Sequence, residues 1–228
     1  MPMKPLLSTV DSILFDLDGT LVETNIDFAA MKREMVALAA EAGMAPREVE
    51  GLDILGVIDS TTAFLANEGK AGEAAELRCR AMSILEEIEL RHARDTQEIP
   101  FAKDLTDRLR ARGIGVGIVT RNCRRASELS LSITGIGADV LVCREDSLNH
   151  KPHPEPILLA LSVLHADPRN SVMVGDHIMD VQGGKAAGTK TIGFLREHRA
   201  DDFFDSVEPD FVTRDLKEVL DAIIHRDS

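Results

Sequence analysis

An α/β fold with a parallel sheet and an inserted helical module is what this 228-residue sequence predicts, on three observations. Short apolar runs such as Ile13 to Phe15, Ile114 to Val119 and Ser171 to Val174 recur, each followed by a segment of helical spacing. Several of these runs stop abruptly on polar residues, as buried strands do where they deliver side chains to a crevice. Between residues 23 and 96 the apolar positions follow helical spacing alone, which interrupts the alternation. The expectation is a Rossmann-like core of residues 1–22 and 97–228, with residues 23–96 as a separate α-helical insertion.

Taken in order, residues 1–9 read as a leader to a strand from about Val10 to Phe15. A helix over 26–42 follows from the spacing of Phe28, Met31, Met35, Leu38 and Ala39, and Gly43 ends it. Glycines bracket an apolar loop at 51–56, before a helix over 57–67 and a longer one over 71–94. The alternation then resumes with helix 103–112, strand 114–119, helix 124–131 and strand 140–143. The prolines of the Lys151 to Pro156 loop stiffen it and start a helix over 155–164. Strand 171–174, helix 180–187, strand 191–195, strand 210–212 and helix 215–224 complete the reading.

Composition narrows the function. A net charge of −13 and the absence of Trp and Tyr argue against non-specific nucleic-acid binding, which needs a basic footprint and stacking platforms. Cys79, Cys123 and Cys143 are widely spaced and lack a C-x-x-C pairing, so they are expected to be free thiols of a reducing compartment. No run reaches membrane-spanning length and no long apolar segment opens the chain, which predicts a cytoplasmic protein without a membrane partner.

Five polar clusters fall beyond strands or in adjoining loops: Asp16 with Asp18, Thr120 with Arg121 and Asn122, Lys151, Asp176, and Asp180. Two acids separated by one residue can hold a hard cation and still divide the roles of nucleophile and proton carrier. Gly19 lets the chain turn away behind them. Hydroxyl and amide donors at 120–122 suit phosphate oxygens, Lys151 suits their charge, and Asp176 completes an oxygen-rich site suited to Mg²⁺. Arg121, Asn122 and Gly19 are the candidate substrate contacts.

These clusters resemble the haloacid dehalogenase (HAD) superfamily of phosphatases, with four motifs in order: D-x-D-G-T at Asp16 to Thr20, the strand-end Thr120, K-P-x-P-E-P from Lys151, and G-D-x-x-x-D at Gly175 to Asp180. The insertion resembles the small helical cap of the phosphoglycolate phosphatase-like branch. The resemblance implies that Asp16 is the nucleophile and Asp18 the general acid and base, with Thr120 and Lys151 holding the phosphoryl group. It also implies Mg²⁺ at the Asp16 carboxylate, the Asp18 backbone carbonyl and Asp176, with Asp180 in support through water or Lys151. Metal-free dehalogenases of the superfamily lack an acid at the position of Asp18, so its presence favours phosphate chemistry.

The resemblance further implies a small phosphorylated metabolite as the substrate, 2-phosphoglycolate being one candidate, and a monomer or homodimer. A phosphomutase, a pyrophosphatase and a non-catalytic phosphate-binding protein are the alternatives. Arg121-Asn122 stands where the phosphoglycolate branch often has Asn-Lys, and residues 23–27 lack the Arg and His of β-phosphoglucomutase-like relatives. His150, His153 and His177 show no ligand spacing and are assigned supporting roles. The glycine-rich stretch 183–191 closes a helix and lacks the lysine of a phosphate-binding loop. The 51–56 loop is the candidate specificity segment, with hinges near 22–24 and 97–101.

Overall fold

Strand β1 (Ser12–Phe15) is buried along its whole length, and the main sheet extends to either side of it. In this computed structural model, which describes residues 9–223, the chain next forms a two-residue strand β2 (Val22–Glu23). Three helices follow: α1 (Phe28–Glu41), α2 (Ile54–Asn67) and α3 (Ala71–Ala93). The alternation resumes through β3 (Gln97–Glu98), α4 (Ala102–Arg110), β4 (Gly115–Val119), α5 (Arg124–Thr134) and β5 (Val140–Val142). It ends with α6 (Glu155–Leu164), β6 (Ser171–Gly175), α7 (Ile178–Ala187), β7 (Lys190–Phe194), β8 (Phe211–Thr213) and α8 (Leu216–Ile223).

Six strands pair in the order β5-β4-β1-β6-β7-β8, every neighbouring pair parallel. Phe15 lies in register with Ile118 on one side and Val174 on the other, so the carboxyl ends of three strands finish together. The strand order reverses at β1, and this is the switch point where open α/β sheets place their ligands.

Alternation along the strands divides the core. Ile13 and Phe15 join Ile118, Val174, Leu105, Leu109 and Val219 in one cluster, while Leu14 joins Met173, Ile157 and Leu161 in another. Fully burying each such side chain contributes about 1.5–3 kcal/mol. A sheet covered by apolar clusters on both faces explains why its strands read as continuous hydrophobic runs.

The chain divides into two compact units, one of residues 25–92 and the other of the remaining chain. Residues 23–24 and 93–96, expected in the insertion, fall with the sheet. Glu23 pairs with Gln97 in a short antiparallel ribbon, and Thr96 shares a 2.9 Å hydrogen bond with Ser130. The helical unit has its own core of Met31, Met35, Leu38, Val57, Ile58 and Leu85.

Several boundaries move for local reasons. The α2 helix begins at Ile54, because the Asp53 side chain accepts a 2.7 Å hydrogen bond from the Gly56 amide; the expected 51–56 loop is therefore half helix. In the same way His177 caps α7, which starts two residues before Asp180. Gly135, with φ +68°, ends α5 beyond the expected residue 131. Residues 1–8 of the expected leader and residue 224 of the expected last helix lie outside the described residues.

Candidate active site

The β1 ladder carries one residue past the strand: the Asp16 amide donates to the Val174 carbonyl at 2.8 Å, which sets the Asp16 side chain at the switch point. The chain then turns tightly, the Gly19 amide donating to Val22 and those of Leu21 and Val22 to Leu17. Gly19 is required twice over. Its φ is +86°, and a Cβ there would stand 2.3 Å from Asp176 Oδ2.

Asp16 is buried and accepts from Lys151 Nζ through Oδ1 at 2.6 Å. The same ammonium donates to the Val119 carbonyl at 2.6 Å and lies 2.7 Å from Asp180 Oδ1. All three of its N–H groups thus have acceptors. Asp180 uses its second oxygen to accept from the His177 amide at 3.0 Å, closing a capping box at the start of α7. Gly175 makes this possible, since a Cβ there would lie 2.3 Å from Asp180.

Asp18 is held differently. Thr24 Oγ1 donates to its Oδ1 at 2.7 Å, and Asn122 Nδ2 donates to its Oδ2 at 3.1 Å. The Asn122 Oδ1 accepts from the Cys123 amide at 2.8 Å, which fixes the amide orientation. Thr120, buried at the end of β4, accepts from the Asn122 amide through Oγ1 at 3.1 Å. Arg121 directs Nη1 to Met179 Sδ at 2.9 Å.

One carboxylate oxygen from each of Asp16, Asp176 and Asp180 lies within 4.8 Å of the others. A donor set of oxygens alone suits a hard divalent cation, so these residues fit the expected metal. The Asp18 side chain is outside this group. Electrostatics agree: burial, followed by the charges of Asp180 and Asp176, raises Asp16 well above the ordinary carboxylate range despite Lys151. Burial and Asp180 likewise push Asp176 up to about 7, against the opposing pull of Arg196, Lys151 and Arg199. Lys151 responds in the other sense; burial works to lower its pKa, but Asp16 and Asp180 outweigh that and raise it. Asp18 is raised by burial, moderated by its bonds from Thr24 and Asn122.

The structure gathers Asp16, Lys151, Asp176 and Asp180 in one cluster with Gly19 against Asp176, and separately bonds Asp18 to Asn122, with Thr120 bonded to Asn122 and Arg121 bonded to Met179 of α7. His153 is engaged locally, its Nδ1 accepting from the Glu155 amide at 3.2 Å. Of the three free cysteines, Cys79 is exposed and the other two are buried. Sequence reasoning missed Thr24 and Arg196. Arg196 donates from Nη1 to the Gly19 carbonyl at 2.8 Å and from Nη2 to Glu23. It follows the carboxyl end of β7, so the strand-end rule that flagged the other clusters applied to it too.

The family model for haloacid dehalogenase-like hydrolases matches residues 13–194. Among curated proteins, pyrophosphatase PpaX of Bacillus velezensis is 33% identical over 213 residues, covering 92% of this chain and 95% of that protein. PpaX of Bacillus pumilus is 32% identical over 227 residues, covering 96% and 99%. Among solved structures, a HAD phosphatase from Thermococcus onnurineus superposes with a TM-score of 0.60 at 23% identity, covering 92% of this chain and 96% of that one, a likeness of fold. With the family match spanning the acidic cluster and every strand from β1 to β7, this chain belongs to the haloacid dehalogenase-like hydrolase family.

Proposed function

We propose that the protein is a Mg²⁺-dependent phosphatase that hydrolyses a small phosphorylated metabolite through an aspartyl-phosphate on Asp16. The observation that carries this reading is the contrast between two carboxylates one residue apart. Asp16 is bound by a lysine and faces two further acids, whereas Asp18 is held by the neutral donors Thr24 and Asn122. An ion-paired carboxylate suits attack on phosphorus. A carboxyl held by neutral hydrogen-bond donors, outside the group of three acids, suits exchanging a proton with the leaving oxygen and with water.

In the first half-reaction an Asp16 oxygen forms a bond to phosphorus, the bond from phosphorus to the leaving oxygen breaks, and Asp18 gives that oxygen its proton. In the second, Asp18 takes a proton from water as the water oxygen displaces Asp16 and releases phosphate. Lys151 neutralises phosphoryl oxygens, and Thr120 with the Gly19, Arg121 and Asn122 loops orients them. Asp16, Asp176 and the Asp18 carbonyl, with Asp180 in support, would hold Mg²⁺, which would supply positive charge to offset repulsion between a carboxylate and a phosphate dianion. Residues 25–92 act as the cap that selects the leaving group. The substrate class includes 2-phosphoglycolate. Pyrophosphate is the second reading, favoured by the name pyrophosphatase borne by the Bacillus relatives at 32–33% identity.

Phosphate release from 2-phosphoglycolate, sugar phosphates, nucleotides and pyrophosphate, each with Mg²⁺ and with chelator, tests the proposal. Release from one ester well above the others, abolished by chelator and restored by Mg²⁺, is expected. Folded protein that releases phosphate from none of them, or that works equally well in chelator, would rule it out.

A further inference from the structure

Arg196 reaches the turn that carries Asp18 from two strands away. It follows the carboxyl end of β7, whereas Asp18 and Gly19 lie beyond β1, and β6 runs between those strands. Its backbone is anchored. The Leu195 amide donates to the Thr213 carbonyl at 2.7 Å, and Arg214 Nη1 and the Arg199 amide donate to the Arg196 carbonyl at 2.9 and 3.0 Å. From that base the side chain, 17% exposed, sends Nη1 to the Gly19 carbonyl at 2.8 Å and Nη2 to the Glu23 carboxylate. A planar guanidinium that donates to two acceptors fixes their separation more rigidly than the single nitrogen of a lysine would.

The two residues that Arg196 holds are informative by position. Gly19 directly follows Asp18, and Glu23 directly precedes Thr24. Thr24 Oγ1 donates to Asp18 Oδ1 at 2.7 Å, so Arg196 grips the chain neighbours of both members of that bond. Between them the chain folds on itself, the Gly19 amide donating to the Val22 carbonyl at 2.7 Å and the Leu21 amide to the Leu17 carbonyl at 2.9 Å. The second Asp18 oxygen accepts from Asn122, which lies beyond β4 on the opposite side of β1 from β7. Asp18 is thus placed by a donor from the β4 side and by a turn braced from the β7 side. All of these residues belong to the compact unit that contains the sheet.

We infer that Arg196 is a positioning residue for Asp18, bracing both ends of its turn against the end of β7 so that the carboxyl meets the leaving oxygen and gives it a proton. This rests on the phosphatase reading above. The consequence is selective. A leaving group that departs as a stable anion needs no proton in the transition state, whereas an alkoxide does, so misplacing Asp18 slows only the second kind. A merely structural brace would harm every substrate alike.

The test compares the wild-type protein with Arg196→Gln, Arg196→Lys and Glu23→Gln in saturating Mg²⁺. The substrates are benzyl phosphate and 4-nitrophenyl phosphate, aromatic esters that differ in their need for a proton. Arg196→Gln is expected to lower kcat/KM for benzyl phosphate about tenfold more than for 4-nitrophenyl phosphate, with Arg196→Lys and Glu23→Gln in between. Hydrogen exchange read by mass spectrometry is the second measurement. Residues 17–24 should exchange about tenfold faster in Arg196→Gln, as loss of a charge-assisted bond would allow, while β1 and β6 stay unchanged. Equal losses on the two esters, unchanged exchange at 17–24, or exchange that rises throughout the sheet would each overturn the inference. If Arg196→Gln does not fold, Arg196→Lys and Glu23→Gln decide the same comparisons. If the wild type hydrolyses neither ester, exchange at 17–24 decides alone whether Arg196 braces the turn; release of phosphate from no substrate at all is a failure of the phosphatase reading.

Discussion

Asp16→Asn is expected to abolish turnover, by about 10⁴-fold or more in kcat, while leaving the fold intact. The amide keeps the shape of the carboxylate but is too weak a nucleophile to take the phosphoryl group. Stability should hold for an electrostatic reason. The pKa of Asp16 is raised in the folded protein, so its ionised form is disfavoured by burial and by Asp180 and Asp176 more than Lys151 favours it. A neutral side chain relieves that repulsion even though it loses the ion pair. Steady-state kinetics in saturating Mg²⁺, with circular dichroism on the same sample, check both parts. Residual activity above about one hundredth of the wild type would remove Asp16 from the nucleophile's role, being far more than loss of a nucleophile leaves behind.

Lys151→Met is expected to do the opposite to stability, lowering it by about 3–5 kcal/mol as well as stopping turnover. The ammonium is almost completely buried, and its loss leaves Asp16, Asp180 and the Val119 carbonyl without their shared donor. Methionine fills similar volume but satisfies none of them. The deficit has a definite pH dependence. The Lys151 pKa is raised by folding, so its contribution is complete below the ordinary lysine value and is lost only as pH rises through the higher folded one. Between pH 5 and 8 the wild type keeps that contribution. The variant's bereft carboxyls instead escape by protonation, most readily at the acid end. Urea unfolding at pH 5 and pH 8 should therefore show the larger deficit at pH 8. A loss of less than about 1 kcal/mol at both would mean that the buried charges are compensated in some other way.

The parts of this site that were legible in the sequence are those where a strand end and a polar side chain adjoin. Asp16, Asp18, Asp176 and Thr120 each follow an apolar run, and strand-end position is a local property that spacing reveals. Lys151 was legible through its proline-rich loop, although its bonds to Asp16 and Val119 join residues 135 and 32 positions away. The bond from Thr24 to Asp18 spans only six residues, yet no periodicity marks it, because a tight turn and a two-residue strand are all that lie between them. The β2–β3 ribbon escaped notice for a related reason: strands of two residues carry no alternation to detect.

The helix starts offer the same lesson at smaller scale. Gly51 and Gly56 look like a bracketed loop, but a single aspartate between them turns the second glycine into a capped helical position. Capping rules find such a start when the cap side chain is considered before the glycine.

The central claim is that phosphate passes through Asp16, and trapping that state is its most direct measurement. Protein turning over pyrophosphate or 2-phosphoglycolate with Mg²⁺ would be quenched, reduced with borohydride to convert an aspartyl-phosphate to homoserine, digested and sequenced by mass spectrometry. Conversion at residue 16, absent without substrate and absent in chelator, is the predicted result. Conversion at Asp18 or Asp176, or an unmodified Asp16 in protein that is demonstrably releasing phosphate under conditions where the intermediate accumulates, would contradict it.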